Sequence, residues 1–217
     1  MPVITISREY GAGGLRIGRR VAERLGLAFV DAVLIEETAR RLRVPEDAVR
    51  RWDERGEGFL LGVLRSMRTA HPEYASGSAW PDAEEGTADP ERISRVTREI
   101  IEEVGRAGNA VIVGRGGAFI LQAGESVHHV RIVAPRAQRI RWLVESGGSE
   151  DEVARTLDRV DRERLVFVRR RFGVDARDAG HYCLVVNTGC LSCESAADLL
   201  AGVAGGSRPA ADGAPGA

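Results

Sequence analysis

Lysine is absent from the sequence: all 31 residues counted as lysine or arginine are arginines. Codon usage in a genome rich in G and C produces such a bias without functional selection. The bias still has a chemical consequence, because any long basic side chain that binds phosphate here must present a planar guanidinium instead of a compact ammonium. The net charge is −1, which lacks the basic excess typical of proteins that bind nucleic acid. We therefore expect no nucleic-acid partner.

Long apolar runs and cysteines are also scarce. No run of about 18 consecutive apolar residues is present, so the sequence predicts no membrane-spanning helix and no membrane partner. The N-terminus lacks the basic and then apolar pattern of a secretory signal. Three cysteines are too few for a disulfide framework and fit a reduced interior. We expect a cytoplasmic protein, and the sequence leaves open whether it is a monomer or a homodimer.

Two of the cysteines, Cys190 and Cys193, form a C-x-x-C pair. A structural zinc would need two further ligands, which Cys183 and His181 could supply. Cys183, however, is expected to begin a buried strand, and free cysteine is common in buried positions. We therefore favour free cysteines and predict no metal-ligating set among the side chains.

The rest of the composition is that of one α/β domain. With 217 residues, 43% of them hydrophobic, the chain can bury one sizeable core. Short β-branched runs alternate with segments whose apolar residues recur at helical spacing. These patterns predict strands at 3–6, 27–30, 109–113, 129–134 and 182–187, and helices at 15–25, 34–42, 91–106, 136–145, 150–172 and 195–203. Such alternation indicates a mostly parallel sheet covered by helices on both faces.

Two segments are expected to lie outside this framework. Residues 56–90 are rich in Gly, Ser, Pro, Glu and Asp, which favours an exposed insertion, and residues 205–217 have the composition of a disordered tail. The expected domain therefore spans 1–204. Ligands of parallel sheets bind at the carboxyl ends of the strands. Those ends are predicted at Ser7, Asp31, Gly114, Ala134 and Asn187.

A glycine-rich segment, Ser7-Arg-Glu-Tyr-Gly-Ala-Gly-Gly14, joins the first strand to the first helix. Backbone N–H groups of such turns form an anion nest, and the positive end of the following helix adds to the field. The segment departs from the standard pattern G-x-x-x-x-G-K-[ST], because Arg8 occupies the slot of the first glycine, Gly14 that of the lysine and Leu15 that of the hydroxyl. The alternative is a plain turn that uses glycine for its backbone freedom. The candidate phosphate-binding residues are Ser7, Arg8, Gly11, Ala12, Gly13, Gly14 and Leu15.

Several strings, taken in order, resemble the cytidylate kinase-like family, a branch of the nucleoside monophosphate kinases. The first is ITISREYGAGGLRIGRRVAERLG, followed by a strand that ends at Asp31 and by LIEETARR. Further along the chain come VIVGRGG at 111–117, RIVAPRAQRIRWLVE at 131–145, RVDRERLVFVRRRFG at 159–173 and YCLVVNTGCLSCESAADLL. The resemblance covers roughly residues 3–203. The sequence departs from cytidylate kinases proper in the loop lysine and hydroxyl, and in Gly116, which stands where those enzymes have Asp after Gly-Arg.

The resemblance implies a P-loop NTPase-like fold: a five-stranded, mostly parallel sheet flanked by helices, with an insertion and a helical lid at about 150–175. It implies nucleotide substrates, ATP with Mg²⁺, and CMP or dCMP as the first acceptors to consider. Gly114 and Arg115 correspond to the turn that helps to hold the monophosphate, and Asp31 lies at a neighbouring strand end. Asp31 could equally cap a helix.

Arginines must supply the cationic groups for phosphoryl transfer, which depends on positioning and charge neutralisation. An arginine from the helix, the lid or the loop itself could replace the missing lysine: Arg16 and Arg19 lie on the first turns after the loop, and Arg8 lies within it. The alternative for Arg16 and Arg19 is a solvated helix face. In the lid segment, Arg155, Arg159 and Arg162 share a helix face because they are spaced i, i+4 and i+7. The candidate catalytic residues are Arg16, Arg159, Arg162 and Arg164. For those of the lid segment, the alternative is a salt-bridged surface helix.

Three functions remain open at this point. The first is a nucleoside monophosphate kinase. The second is a regulatory module of the same fold that binds a nucleotide without turnover, which Gly14 and Leu15 in the lysine and hydroxyl slots motivate. The third is a kinase of another small hydroxylated metabolite, motivated by the poor family match of residues 56–90.

Overall fold

The computed structural model describes residues 1–43, 46, 90–124 and 126–206. The expected insertion at 56–90 therefore lies outside the described residues, except for Pro90, which begins a helix. The part of the expected tail beyond residue 206 also lies outside them. Within the described ranges, no helix is long and apolar enough to cross a membrane.

Strands and helices alternate along the described chain. The strands are β1 Val3–Arg8, β2 Ala28–Val30, β3 Ala110–Val113, β4 Val127–Val133 and β5 Leu184–Asn187. The helices are α1 Gly14–Leu25, α2 Ala32–Leu42, α3 Pro90–Ala107, α4 Gly117–Ile120, α5 Arg136–Glu145, α6 Glu150–Phe172 and α7 Cys193–Gly205. A single 3₁₀ turn, Ala179–His181, precedes β5.

The five strands form one sheet in the order β2-β3-β1-β4-β5, and every pair in it is parallel. β1 lies at the centre, where Ile6 pairs with Val113 of β3 and with Val130 of β4. This arrangement confirms the predicted five-stranded parallel sheet flanked by helices. Because all strands point the same way, the residues that follow β1, β2 and β3 emerge at one edge of the sheet.

Two details of the strands differ from the expectations. β1 continues through Arg8, so Ser7 and Arg8 are strand residues with β4 partners and not loop residues. Cys183 was expected to begin a buried strand, but β5 begins one residue later and Cys183 is exposed. The reason is that β5 is the outermost strand on its side of the sheet, so only its inward-facing positions are covered.

Local sequence explains where the helices begin and end. α1 buries the stripe Ile17, Gly18, Val21 and Ala22 and ends at Gly26, whose left-handed φ of 64° suits a glycine C-cap. α6 begins after Ser149, whose hydroxyl accepts a hydrogen bond from the Glu152 N–H. Three acidic residues occupy its first turn and three arginines its last, which matches the helix dipole.

The chain divides into two compact units. The first, the sheet unit, comprises residues 1–31, 101–135 and 178–217, and so holds all five strands with α1, α4 and α7. Its core includes Ile4, Ile6, Ile17, Ile112, Ile132 and Leu200, all nearly inaccessible to solvent. The second, the helical unit, comprises residues 32–100 and 136–177, with α2, α5 and α6, and buries Ile93, Leu157 and Val160. α3 runs through the boundary between residues 100 and 101.

Candidate functional site

The glycine loop, residues 9–13, lies between the carboxyl end of β1 and the start of α1. Gly11 and Gly13 have φ values of 76° and 82°, a left-handed conformation that residues with side chains rarely adopt. Gly13 is the N-cap of α1 and provides no side-chain cap, and the first helical turn contains no acidic residue. The N–H groups of that turn and the helix dipole therefore present a positive field, which fits an anion such as a phosphate.

The loop is tied to neighbouring strands on its other side. The buried hydroxyl of Thr188 donates to the carbonyl oxygen of Ala12 at 3.0 Å and lies 3.3 Å from that of Val133. The Glu9 N–H donates to the Ile132 carbonyl at 3.0 Å, and the Glu9 carboxylate accepts from the Ala134 N–H at 3.2 Å. These contacts tie the loop to the carboxyl end of β4 and to the residue that follows β5.

The side chain of Arg8 lies between Gly14, the first residue of α1, and Gly114, the residue that follows β3. A Cβ placed on Gly14 would lie 2.8 Å from the Cβ and 3.1 Å from the Cγ of Arg8, so the stem of Arg8 covers the first residue of α1. A Cβ on Gly114 would overlap Nη1 of Arg8 and lie 3.0 Å from its Cζ. The guanidinium therefore lies over the turn that follows β3, next to β1 in the sheet.

That turn, Gly114-Arg115-Gly116, holds three consecutive residues in the left-handed region, with φ values of 81°, 58° and 72°. Such a φ is costly for arginine, and strained backbone of this kind is concentrated at functional sites. The Gly114 N–H donates to the Ile6 carbonyl at 2.9 Å, which fixes the turn to the end of β1. Asp31 directly follows β2, whose last residue pairs with Ile112 of β3. The predicted acceptor residues Asp31, Gly114 and Arg115 thus emerge at adjacent strand ends.

Arg16, on the first turn of α1, lies next to the glycine loop and contacts Cys193. Its Nη2 donates to Sγ of Cys193 at 2.9 Å, and it lies 3.8 Å from the position that a Cβ on Gly13 would take. The same Cβ would be 2.8 Å from the Cys193 sulfur. Cys193 therefore packs against the glycine loop, a contact that its place in a C-x-x-C pair does not predict.

The sequence reasoning also missed Arg131, in the middle of β4. This side chain is buried, Nη1 donates to the Ser7 hydroxyl at 3.4 Å, and the Tyr182 hydroxyl donates to the same oxygen at 3.3 Å. The guanidinium stacks over the Tyr182 ring, and the nearest oxygen of Glu9 is 3.8 Å from Nη2. An arginine inside an otherwise buried strand is a signal that was available, because buried cations need such partners.

A buried histidine lies beneath this cluster on the same face of the sheet. Nδ1 of His129 is 2.7 Å from the Thr5 hydroxyl and Nε2 is 3.1 Å from the Leu121 carbonyl. A neutral ring protonated on Nε2 satisfies both partners. Burial lowers the pKa of His129, and the neighbouring His128 lowers it further, although the bond to the carbonyl opposes them. His129 is therefore part of the structural support of the site.

The other predicted catalytic arginines belong to α6, in the helical unit. Arg155, Arg159 and Arg162 are exposed on one face, opposite the buried Leu157 and Val160, as their spacing predicts. Nη1 of Arg159 donates to Glu163 at 3.2 Å. Arg164 lies off this exposed face and is half-buried.

Two further arginine–carboxylate pairs join α5 to α6. Arg136 forms a bidentate pair with Asp158 at 2.8 and 2.7 Å, and this bond lowers the pKa of the Asp158 carboxyl. The buried Arg139 donates to Asp161 at 2.6 Å. Asp158 and Asp161 of the predicted lid segment therefore have structural partners on the preceding helix.

No group of three or more His, Cys, Asp or Glu side chains is placed to hold a metal ion in the part of the chain that the structure describes. The hydroxyl of Ser7, a predicted phosphate-binding residue, already accepts hydrogen bonds from Arg131 and Tyr182. Leu15 occupies the slot in which the standard loop offers a hydroxyl ligand.

Comparison with known proteins places these features in a family. A model of the cytidylate kinase-like family matches residues 3–189. The cytidylate kinase of Ignicoccus hospitalis is 26% identical over 203 residues, which cover 92% of this chain and 97% of that protein. A uronate isomerase from Corynebacterium glutamicum is 30% identical over 105 residues, 48% of this chain but only 20% of that protein. The solved structure of an uncharacterized protein from Eubacterium ventriosum matches with a TM-score of 0.66 at 16% identity, over 94% of this chain and 99% of its own, and shares the fold.

Proposed function

Because the chain belongs to the cytidylate kinase-like family, which supports a phosphotransferase, we propose that it transfers the γ-phosphoryl group of ATP to a nucleoside monophosphate. CMP and dCMP are the first acceptors to test. The observation that carries this proposal is the glycine loop, in which Gly11 and Gly13 turn the chain into a helix start without side-chain cap or acidic residue. That arrangement fits the phosphates of a nucleotide.

The acceptor is assigned to the neighbouring strand ends. Arg115, held at a φ of 58° between two glycines, provides a guanidinium for the acceptor phosphate. Asp31, at the end of β2, provides a carboxylate that can orient the acceptor. In this scheme Arg16 adds positive charge at the donor end, and Arg159, Arg162 and Arg164 of α6 are proposed to neutralise charge during transfer.

Mg²⁺ would accompany ATP in this reaction and would neutralise part of the charge on its phosphates. The described side chains provide no cluster of metal ligands. The phosphates of the nucleotide would supply oxygen ligands to the ion. The N–H groups and arginines of the loop are hydrogen-bond donors, so they would bind the phosphates and not the ion.

The experiment is a coupled assay of the purified protein with ATP, Mg²⁺ and a panel of ribo- and deoxyribonucleoside monophosphates, with the diphosphate product identified by mass spectrometry. We expect turnover of at least one pyrimidine monophosphate. Arg115→Ala should raise the KM for the acceptor and leave the KM for ATP little changed. The matched control is Arg20→Ala, an exposed helix arginine whose partner is Glu194. The absence of any diphosphate product across the panel would rule out the proposal.

One observation favours a second function, a module that binds a nucleotide without turnover. Leu15 stands in the hydroxyl slot of the loop and is partly exposed at 38%, so an apolar side chain lies where the standard motif binds the metal. Tight binding of ATP in calorimetry, with no turnover of any monophosphate, would favour this module. Product formation with other hydroxylated metabolites in a wider screen would instead favour a kinase of different acceptor class.

A further inference from the structure

Two departures of the loop from the standard pattern are linked in space. Arg8 stands in the slot of the first glycine, and Gly14 stands in the slot of the lysine. In the structure these two positions touch, because a Cβ on residue 14 would be 2.8 Å from the Cβ of Arg8. A lysine at position 14 and an arginine at position 8 therefore exclude each other unless the backbone moves.

A second glycine, Gly114, completes the path of the Arg8 side chain. Beyond Gly14 the stem continues toward the turn after β3, and the guanidinium reaches the space that any side chain on Gly114 would fill. Both glycines thus make room for the same arginine. The side chain of Arg8 therefore extends from the first residue of α1, next to the loop where the donor is proposed to bind, to the turn that carries Arg115.

We propose that Arg8 is the cation of this glycine loop: the positive charge that standard loops carry at the lysine slot is supplied here from the end of β1, and the glycines at 14 and 114 are the space that it requires. The proposal rests on the proposed function and deepens it by assigning a catalytic role to Arg8. It also predicts which sequence changes must occur together.

The proposed step needs no proton from Arg8. A bond forms between an oxygen of the acceptor phosphate and the γ-phosphorus of ATP, and the bond from that phosphorus to the β,γ-bridging oxygen breaks with its electron pair remaining on ADP. The products are ADP and a nucleoside diphosphate. The guanidinium stays protonated and donates to the transferring phosphoryl oxygens, a geometry for which its planar fork is suited.

The test is a double-substitution cycle. Arg8→Gly removes the cation, Gly14→Lys places the standard lysine beside Arg8, and the combination Arg8→Gly with Gly14→Lys restores the standard order of both slots. We expect kcat to fall about 100-fold or more in Arg8→Gly. Gly14→Lys alone should also be impaired, because its side chain overlaps the Arg8 stem. The double variant should recover at least about tenfold over the weaker single variant.

Binding provides a readout that does not depend on turnover. Calorimetry with ATP and with inorganic tripolyphosphate should show weaker binding in Arg8→Gly and Arg8→Gln, and recovery in the double variant. Arg8→Gln keeps the stem without the charge, so it separates lost packing from lost charge. Arg20→Ala is the control and should bind like the wild type. Thermal unfolding of each variant without ligand reports whether the fold is intact.

The outcomes separate this inference from the proposed function. If the wild type binds ATP but phosphorylates no acceptor, the proposed function fails, and the inference is decided by binding alone. Wild-type affinity and turnover in Arg8→Gln would overturn the inference while the kinase activity stands, and so would a double variant no better than the weaker single one. A wild type that binds neither ATP nor tripolyphosphate would overturn both.

Discussion

Arginines occur in two settings in this protein, and their partners differ. On the helices α5 and α6, Arg136, Arg139 and Arg159 each donate to a carboxylate at 2.6–3.2 Å. In the sheet unit, the side chain of Arg8, at the end of β1, lies against Gly14 and Gly114, and Arg16 of α1 donates to a thiol. The sequence marks both groups as candidates for phosphate. The difference teaches that a dense row of arginines on a helix can pair with acids, so a high density of arginine in the sequence does not by itself identify a phosphate site.

The largest effect should come from the loop itself. Gly13→Ala places a methyl group 2.8 Å from the Cys193 sulfur and forces a left-handed alanine. We expect nucleotide affinity to fall about 100-fold, because small displacements of a positioning loop are costly. The matched control is Gly26→Ala at the other end of α1, where φ is 64° but no atom lies within 4 Å. That variant should lose about 1 kcal/mol of stability and bind nucleotide normally; equal binding losses in both would refute the assignment of the loop.

The carboxylate pairs of the helical unit should affect stability more than binding. Asp161→Ala removes a partner of the buried Arg139, whose side chain is 7% exposed, and should cost about 3 kcal/mol of unfolding free energy. Asp158→Ala removes the partner of Arg136, which is 52% exposed, and should cost about 0.5 kcal/mol. Urea denaturation of the two variants measures both changes. If Asp158→Ala lost as much unfolding free energy as Asp161→Ala, burial would not determine how much each pair contributes to stability.

Turnover should distinguish the arginines on the exposed face of α6. Arg159 and Arg162 extend from the same exposed face. Arg159 donates to Glu163, so part of its charge is matched, and we expect it to contribute less to turnover than Arg162. We expect kcat to fall about tenfold in Arg162→Ala, which is equivalent to about 1.4 kcal/mol of transition-state stabilisation. In Arg159→Ala we expect kcat to fall roughly two- to threefold. Glu163→Ala is the control and should not lower kcat. Normal turnover in all three variants would restrict α6 to a structural role.

The comparison also explains how much of the molecule the sequence could predict. α5 and α6 have the predicted bounds, because apolar periodicity, the Ser149 cap and the stop at Gly173 are all local signals. The glycines likewise predicted a turn between β1 and α1, where Gly11 and Gly13 have left-handed φ values; that this turn binds phosphate stays a prediction. The contact of Ser7 with Arg131 could not be predicted, since the two residues are 124 positions apart and meet only through strand register.

The path of Arg8 was hidden for the same reason. Its position in the motif is visible in the sequence, but the overlap with Gly14 and Gly114 depends on where β1 and β3 end relative to one another. The sequence therefore identifies Gly114 as part of the Gly-Arg turn, but its contact with Arg8 becomes visible only when the neighbouring strand is known. Local patterns predict elements and turns, whereas the contacts between side chains at adjacent strand ends require the assembled sheet.

The smallest expected effect is the pH dependence of stability. It distinguishes the sheet unit from the helical unit by the pH range in which each becomes less stable. Burial lowers the pKa of His129 in the sheet unit below its ordinary value of 6.5. The unfolded chain therefore binds a proton at a higher pH than the folded one, so stability is full above about pH 6.5 and falls as the pH drops toward the folded pKa. In the helical unit, the hydrogen bond from Arg136 lowers the pKa of Asp158 below 3.8. The stability from that exposed pair is present above this value and is lost only in stronger acid.

Thermal midpoints measured from about pH 7.5 down to about pH 3 can test this order. The wild type should lose stability first near neutral pH, and His129→Gln should flatten that first decrease while leaving the acid decrease in place. Asp158→Asn should reduce only the acid decrease. If the thermal midpoint of His129→Gln still decreased below pH 6.5 as in the wild type, a group other than His129 would cause that decrease. The pKa of His129 would then not set the pH range in which the sheet unit loses stability.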